Sequence, residues 1–219
     1  MVPRMTEALR SFIAQNTREA APPLCPELRL HLATGAIELW ERTESLVGRT
    51  GLPPPFWAFA WPGGQALARF LLDAPETVRG RSVLDFASGG GVQAVAAAKA
   101  GAASVLATEI DPFSVETIAL NAQLNGVDVT VTGEDVIDRD EGWQVVLAGD
   151  VCYERPMAER VMAWLRRLSA RGALVLVGDP GRNYLPSAGM AERARYAVPT
   201  TLDLEDRLVR DTAVWQVMA

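Results

Sequence analysis

Between Ser82 and Asp111 two short apolar runs flank a glycine- and alanine-rich insert. Ser82–Phe86 has the length of a buried strand, Ala87–Gly91 is a glycine-rich turn, Val92–Gly101 has helical composition, and Ser104–Asp111 is a second strand ending in acid. The pattern predicts a βαβ unit. Similar units follow: a helix over Pro112–Asn125 with Val115, Ile118, Ala119 and Leu124 on its buried side, and a third strand over Val127–Thr132. Next come a fourth, nearly all-apolar strand over Trp143–Ala148, a helix from Pro156 to about Leu168, and a fifth strand over Ala173–Val177. Ala194–Thr200 and Ala213–Val217 read as an antiparallel hairpin that extends the sheet.

Ahead of this core, Thr6–Asn16 has helical spacing with Leu9, Phe12 and Ile13 on one side, and the prolines of Ala20–Pro26 end it. Leu28, Leu30 and Leu32 alternate with Arg29 and His31 as a short strand, before a second helix through Ile37, Leu39, Trp40 and Leu46. Pro62 suits the first turn of a helix containing Leu67, Phe70, Leu71 and Leu72. Phe56 and Phe59 read as core packing, whereas Trp61 beside Gly63 and Gly64 is a candidate for the wall of a ligand pocket, where an aromatic face attracts a cation. His31, the only histidine, is remote from the glycine turn and reads as structural. The expected organisation is a 1–52 extension packed on a single 53–219 domain, an α/β fold with a mostly parallel sheet, helices on both faces and an antiparallel C-terminal hairpin.

Glycines after the first strand let a ligand approach the backbone, and free N–H groups of the next helix point at it. Glu109 stands about twenty residues beyond the turn, the offset at which a carboxylate meets ribose hydroxyls. Gly89 to Ala94 also satisfies the G-x-G-x-x-A dinucleotide pattern, and charge separates the two cofactors. The turn has no Lys or Arg for a pyrophosphate, while Asp85 suits the ammonium and sulfonium of S-adenosylmethionine. Asp85 as a turn cap is the plainer alternative. Asp135 follows the third strand, placed to accept from an adenine amino group with Val136 and Ile110 on the ring faces, or else to shape a turn. Asp150 and Glu154 follow the fourth strand beside the expected sulfonium, or serve the start of the next helix.

Composition narrows the targets. The formal net charge is -6, and no basic stripe is available for a phosphate backbone, so nucleic acid is disfavoured; the negative charge fits a basic, lysine-bearing partner or, equally, serves solubility alone. No apolar run approaches the roughly eighteen residues of a membrane span. Cys25 and Cys152 lie far apart, with no C-x-x-C pair and no metal-binding spacing, which fits a reducing compartment; a bacterial cytoplasm and a monomer are the expectations.

DFASGGG, TEIDP, NAQLNG, GEDV and GDVCYE, in this order, resemble the seven-strand S-adenosylmethionine-dependent methyltransferases from about Pro53 onward. PFWAFAWPGGQALARFLLD, the Asp-x-Cys-Tyr-Glu run and GDPGR are similar to the electron transfer flavoprotein β-subunit lysine methyltransferases, once labelled nicotinamide N-methyltransferase-like. The resemblance implies Asp85, Ala87, Gly89 and Gly91 around the methionine portion, Glu109 at the ribose and Asp135 at adenine. It also implies Trp61 at the cofactor mouth and Asp150, Tyr153 and Glu154 at the target lysine. Two departures stand out. The family's first turn glycine is Ala87, whose backbone is therefore expected in an ordinary region, and its Phe within Asp-x-Phe-Tyr is Cys152, expected as a wall residue. The implied activity is lysine N-methylation of the flavoprotein β subunit. The alternatives are a small-molecule, nicotinamide-like N-methyltransferase and a methyltransferase of other basic proteins, such as ribosomal ones.

Overall fold

The strand Ser82–Phe86 lies third in a sheet of seven, in a computed structural model that describes residues 2–202 and 205–219. In chain order the elements are α1 (Val2–Asn16), β1 (Arg18–Ala20), β2 (Leu30–Leu32), α2 (Ala36–Val47), α3 (Pro62–Asp73), β3 (Ser82–Phe86), α4 (Val92–Lys99) and β4 (Ser104–Thr108). They continue with α5 (Pro112–Asn125), β5 (Thr130–Thr132), β6 (Val145–Gly149), α6 (Arg155–Ala170), β7 (Leu174–Asp179), β8 (Met190–Pro199) and β9 (Val209–Val217). The sheet order is β5-β4-β3-β6-β7-β9-β8. All neighbours from β5 to β7 are parallel, and β9 runs antiparallel to both β7 and β8. The chain winds outward from β3 to β4 and β5, then returns to place β6 on β3's other side. A crevice opens at such a reversal, outside the carboxyl ends of β3 and β6.

Both faces of the central strands are covered. On one, Leu84, Phe86, Val146 and Val175 pack with Val161, Trp164 and Leu165 of α6. On the other, Val83, Val145, Leu147 and Leu176 pack with Leu67 and Leu71 of α3 and Ala94 and Ala97 of α4. Small residues on α4 bring it close to α3 and to the sheet. This explains why the alanine-rich helix follows the glycine turn.

Several expectations change. Arg18–Ala20 forms a strand that pairs antiparallel with β2, Glu19 opposite His31. The C-terminal hairpin is longer than expected and carries a bulge between Glu192 and Ala194. Strand β5 is confined to Thr130–Thr132. Helix α5 buries Phe113, Ser114, Thr117, Ile118, Asn121 and Ala122, so of the four side chains expected inward only Ile118 is fully covered. The reason is that α5 packs under the N-terminal extension as well as on the core, and Asn121 hydrogen-bonds there. Its Oδ1 accepts the His31 N–H at 2.7 Å and its Nδ2 donates to the Gly90 carbonyl at 2.8 Å. A buried amide satisfied on both sides costs little and pins two segments together.

The extension is held by two apolar clusters. Ile13 and Leu39 join Trp57, Phe59 and Phe113, with the Trp57 and Phe113 rings stacked at 5.8 Å. Cys25, Leu28 and Leu30 pack on Ala68, Val92, Val95 and Ala96. Ile37 and Leu46 of α2 face solvent, leaving Leu39 as its apolar anchor. His31 is partly covered, with Nδ1 3.2 Å from the Thr17 hydroxyl, and burial lowers its pKa; it is part of the extension's packing.

Candidate active site

The turn after β3 is built around a fully buried acid. Asp85 accepts from the Ser88 hydroxyl at 2.5 Å and from the Gln93 amide on α4's first turn. Burial pushes its carboxyl up to about 7, while those two donors pull the other way. Ala87 has φ +51, so the expectation of an ordinary backbone there is wrong. The turn must reverse at once from β3 into α4, and its left-handed residues are Ala87, Gly89 and Gly91. Gly90 matters for another reason: a Cβ there would lie 2.6 Å from the Trp57 carbonyl, so the turn is pressed against the segment before α3.

Glu109, one residue beyond β4, faces the turn. Its Oε1 accepts the Gly89 N–H at 2.8 Å and its Oε2 accepts the Ile110 N–H at 3.1 Å, and burial raises its carboxyl to about 7. Ile110 stands open at the rim, 75% exposed, whereas Val136 is 1% exposed and packed in the core beneath α6. The two therefore do not face each other across an open slot. Asp135 is exposed, accepting from the Ile137 N–H at 2.9 Å and from Arg160 at 3.2 Å; it shapes the turn after β5 and pairs with α6.

The Pro62-Gly63-Gly64 segment closes the other side, with Gly64 lining the crevice beside Trp61. Both glycines also approach the sheet. A Cβ on Gly63 would stand 2.1 Å from the Gly178 carbonyl, and one on Gly149 would stand 2.9 Å from Gly64 N. The first turn of α3 thus lies directly on the carboxyl ends of β6 and β7. This contact leaves the Gly64 N–H free to donate to Asp150 Oδ2 at 3.0 Å.

Asp150 has φ +56, a conformation Asp tolerates better than most side chains. Its second oxygen is not free: Arg182 Nη2 donates to Oδ1 at 3.0 Å and to Glu205 Oε1 at 2.8 Å. Burial raises Asp150 to about 6 against the pull of Arg182. The GDPGR sequence makes this geometry. Asp179 Oδ1 accepts the N–H groups of Gly181 and Arg182, and Gly181 takes φ +82, which turns Arg182 back over β6. Its guanidinium also lies 5.9 Å from the Trp61 ring centroid.

Trp61 donates its indole N–H to the Phe56 carbonyl at 3.0 Å. Phe56, expected in the core, is half-buried and touches both Trp61, at 5.6 Å, and Tyr153, at 5.7 Å; Phe59 is buried and also lines the crevice. Phe56, Trp61 and Tyr153 form an aromatic cluster, of which Trp61 lines the crevice together with Asp150. Tyr153 is 46% exposed and Glu154 is exposed at the start of α6, whose N–H groups its side chain does not cap. Cys152 is fully buried, and burial raises its thiol to about 12, so it is an inert wall.

The crevice is bounded by the glycine turn, Trp61, Gln93, Asn121 and Asp150, with Leu30 and Leu32 of the extension across from them. Its cavity volume is about 40 Å3, and Glu109 and Ile110 lie beyond its lining, with Ile110 exposed at the rim. The donor set fits S-adenosylmethionine: Asp85, fully buried, and Glu109, partly covered, flank the turn without a cationic partner, Asp150 beyond them is paired with Arg182, and an aromatic face stands beside them. A pyrophosphate would meet repulsion. Sequence reasoning missed Ser88, Gln93, Asn121, Arg182 and Glu205. Gln93 and Arg182 were visible as parts of motifs, but their partners were not.

A sequence model described as ribosomal protein L11 methyltransferase (PrmA) matches residues 66–154. Electron transfer flavoprotein beta subunit lysine methyltransferase of Xenopus laevis is 39% identical over 97% of this chain and 89% of its own length; that of Rattus norvegicus is 34% identical over 94% and 83%. The fold superposes on magnesium protoporphyrin IX methyltransferase from Synechocystis PCC 6803, solved with bound S-adenosylmethionine, with a TM-score of 0.53 at 15% identity, over 71% of this chain and 78% of that one. Sheet order, glycine turn and acidic pocket together describe an S-adenosylmethionine-dependent methyltransferase. Within that class, identity of this extent over nearly the whole length shows that the chain belongs to the electron transfer flavoprotein β-subunit lysine methyltransferase family.

Proposed function

We propose that this chain methylates lysine in the electron transfer flavoprotein β subunit. The reading rests chiefly on near full-length kinship with enzymes named for that activity, joined to an open rim at Tyr153 and Glu154 beside the covered Asp150. The exposed Tyr153 and Glu154 leave room for a side chain presented by a folded protein, whereas a small acceptor would call for enclosure.

The cofactor supplies an activated methyl group on a sulfonium, and the protein supplies placement. Asp85, held by Ser88 and Gln93, would hold the ammonium end, and Glu109 would accept from the ribose. Asp150 retains lone pairs beyond those used by Gly64 and Arg182, so it can accept from the incoming amine. Phe56, Trp61 and Tyr153 line the lysine's apolar stem. The amine must lose a proton before it attacks. Taking lysine near 10.4, that costs about 4 kcal/mol at about pH 7.4, and Glu154, at the solvent edge, passes the proton to water.

Labelled S-adenosylmethionine incubated with the protein and either purified flavoprotein β subunit, ribosomal proteins or nicotinamide tests the assignment. Label in a lysine of the β subunit is the expected result. Label confined to nicotinamide or to ribosomal proteins would reject it.

A further inference from the structure

Arg182 is the cation that occupies the methyl-acceptor side of the site. It bridges two acids, Asp150 at 3.0 Å and Glu205 at 2.8 Å, with its side chain largely covered and Trp61 over it. A target lysine arriving at Asp150 would meet an acid that is already paired. An unpaired buried carboxylate there would hold the ammonium form and oppose attack, because an opposite charge within about 4–6 Å favours the charged state. A paired one accepts a hydrogen bond while offering little net charge.

We infer that Arg182 is a positioning residue that keeps Asp150 charge-balanced, so that the target amine beside it is held as the neutral nucleophile. The inference rests on the lysine methyltransferase reading. The other groups around Asp150 determine its sign. Asp179 at the end of β7 adds negative charge, already capped by the Gly181 and Arg182 N–H groups. Helix α3 contributes the Gly64 N–H, and α4 the neutral Gln93. Glu205 lies behind Arg182, with Arg210 of β9 3.6 Å from it, and Tyr153 and Glu154 lie on Asp150's own loop. Without Arg182, Asp150 and Glu205 lose the cation that bridges them, Asp179 remains beside Asp150, and Arg210 is already shared between Glu205 and Asp206. The amine's pKa then rises.

The test is the pH profile of kcat for lysine methylation of the flavoprotein β subunit, with S-adenosylmethionine affinity measured by calorimetry as the check on folding. Arg182→Met should move the acidic limb up by about one pH unit, giving about a tenfold loss near pH 7 that is recovered at higher pH. Arg182→Lys, which keeps a cation, should leave the limb near its wild-type position. If Arg182→Met does not fold, Glu205→Gln serves instead: removing an acid behind Arg182 should move the limb to lower pH. A limb at the wild-type pH in whichever of Arg182→Met and Glu205→Gln folds would overturn the inference, even if the rate fell. A wild type that methylates no lysine would instead reject the reading beneath it, and the inference with it.

Discussion

Ala87 holds φ +51, in a region where a Cβ meets the following carbonyl. The left-handed conformation costs an L-residue roughly 1–2 kcal/mol; replacement by glycine relieves that strain but gives up about 0.5–1 kcal/mol to the freer unfolded chain. Ala87→Gly should therefore stabilise the protein by about 0.5 kcal/mol in urea unfolding; a loss of about 1 kcal/mol would contradict a strained alanine. Asp85 and Glu109, both near 7 without a cationic partner, make a second prediction. Their unfolded values are near 3.9 and 4.3, so the folded chain binds protons more tightly. The stability they contribute is full below about pH 4 and is lost as pH rises through about 7. The ligand-free wild type should thus lose stability between about pH 5 and about pH 8 relative to the Asp85→Asn, Glu109→Gln double variant. Affinity for the cationic cofactor should rise over the same window, as calorimetry can measure; flat or falling affinity would contradict the cofactor map. Asp85 and Glu109 could be read from the sequence because each lies at a set offset from the glycines. The Ala87 conformation, the Gln93 contact and the Arg182 bridge could not, since each depends on where a second strand or helix places its partner.

The first turn of α3 is the element that ties the motifs together. WPGG stood out in the sequence as a place for a ligand; its glycines also let α3 rest on Gly149 and Gly178. Gly63→Ala would drive a Cβ into the Gly178 carbonyl and should destabilise the fold by about 3 kcal/mol or more, beyond ordinary overpacking. Gly48→Ala, at a positive φ in open space, should cost only about 1 kcal/mol, so comparing the two midpoints separates contact from backbone strain. Equal losses would contradict the packing account. The boundaries of β3 and α5 were readable because apolar runs, Pro112 and Gly126 delimit them. The face α5 buries was not, because Ser114, Thr117 and Asn121 are polar and lie inward, with Asn121 bonded to β2 and to the glycine turn.

The molecule works as a sheet edge covered from outside by its own N-terminal extension. Leu30 and Leu32 line the crevice, and Asn121 bonds their strand to the glycine turn. Deleting residues 1–52 should therefore weaken cofactor affinity, by about tenfold or more if Asn121 loses its contact across the turn; unchanged affinity in a soluble truncated protein would contradict that role. The parallel core was legible from the alternation of apolar runs and helices, whereas the reversal between β3 and β6 is a property of the strand order, which that alternation does not fix. The β1–β2 hairpin was not, for Arg18–Ala20 is polar and pairs only because β2 offers an edge. The most direct test is peptide mass spectrometry of the flavoprotein β subunit after incubation with S-adenosylmethionine and either the wild type or Asp150→Ala. The expected result is a methylated lysine with the wild type and an unmodified subunit with the variant, which still binds cofactor. A lysine left unmodified by the wild type, or methylated equally by both, would contradict the account.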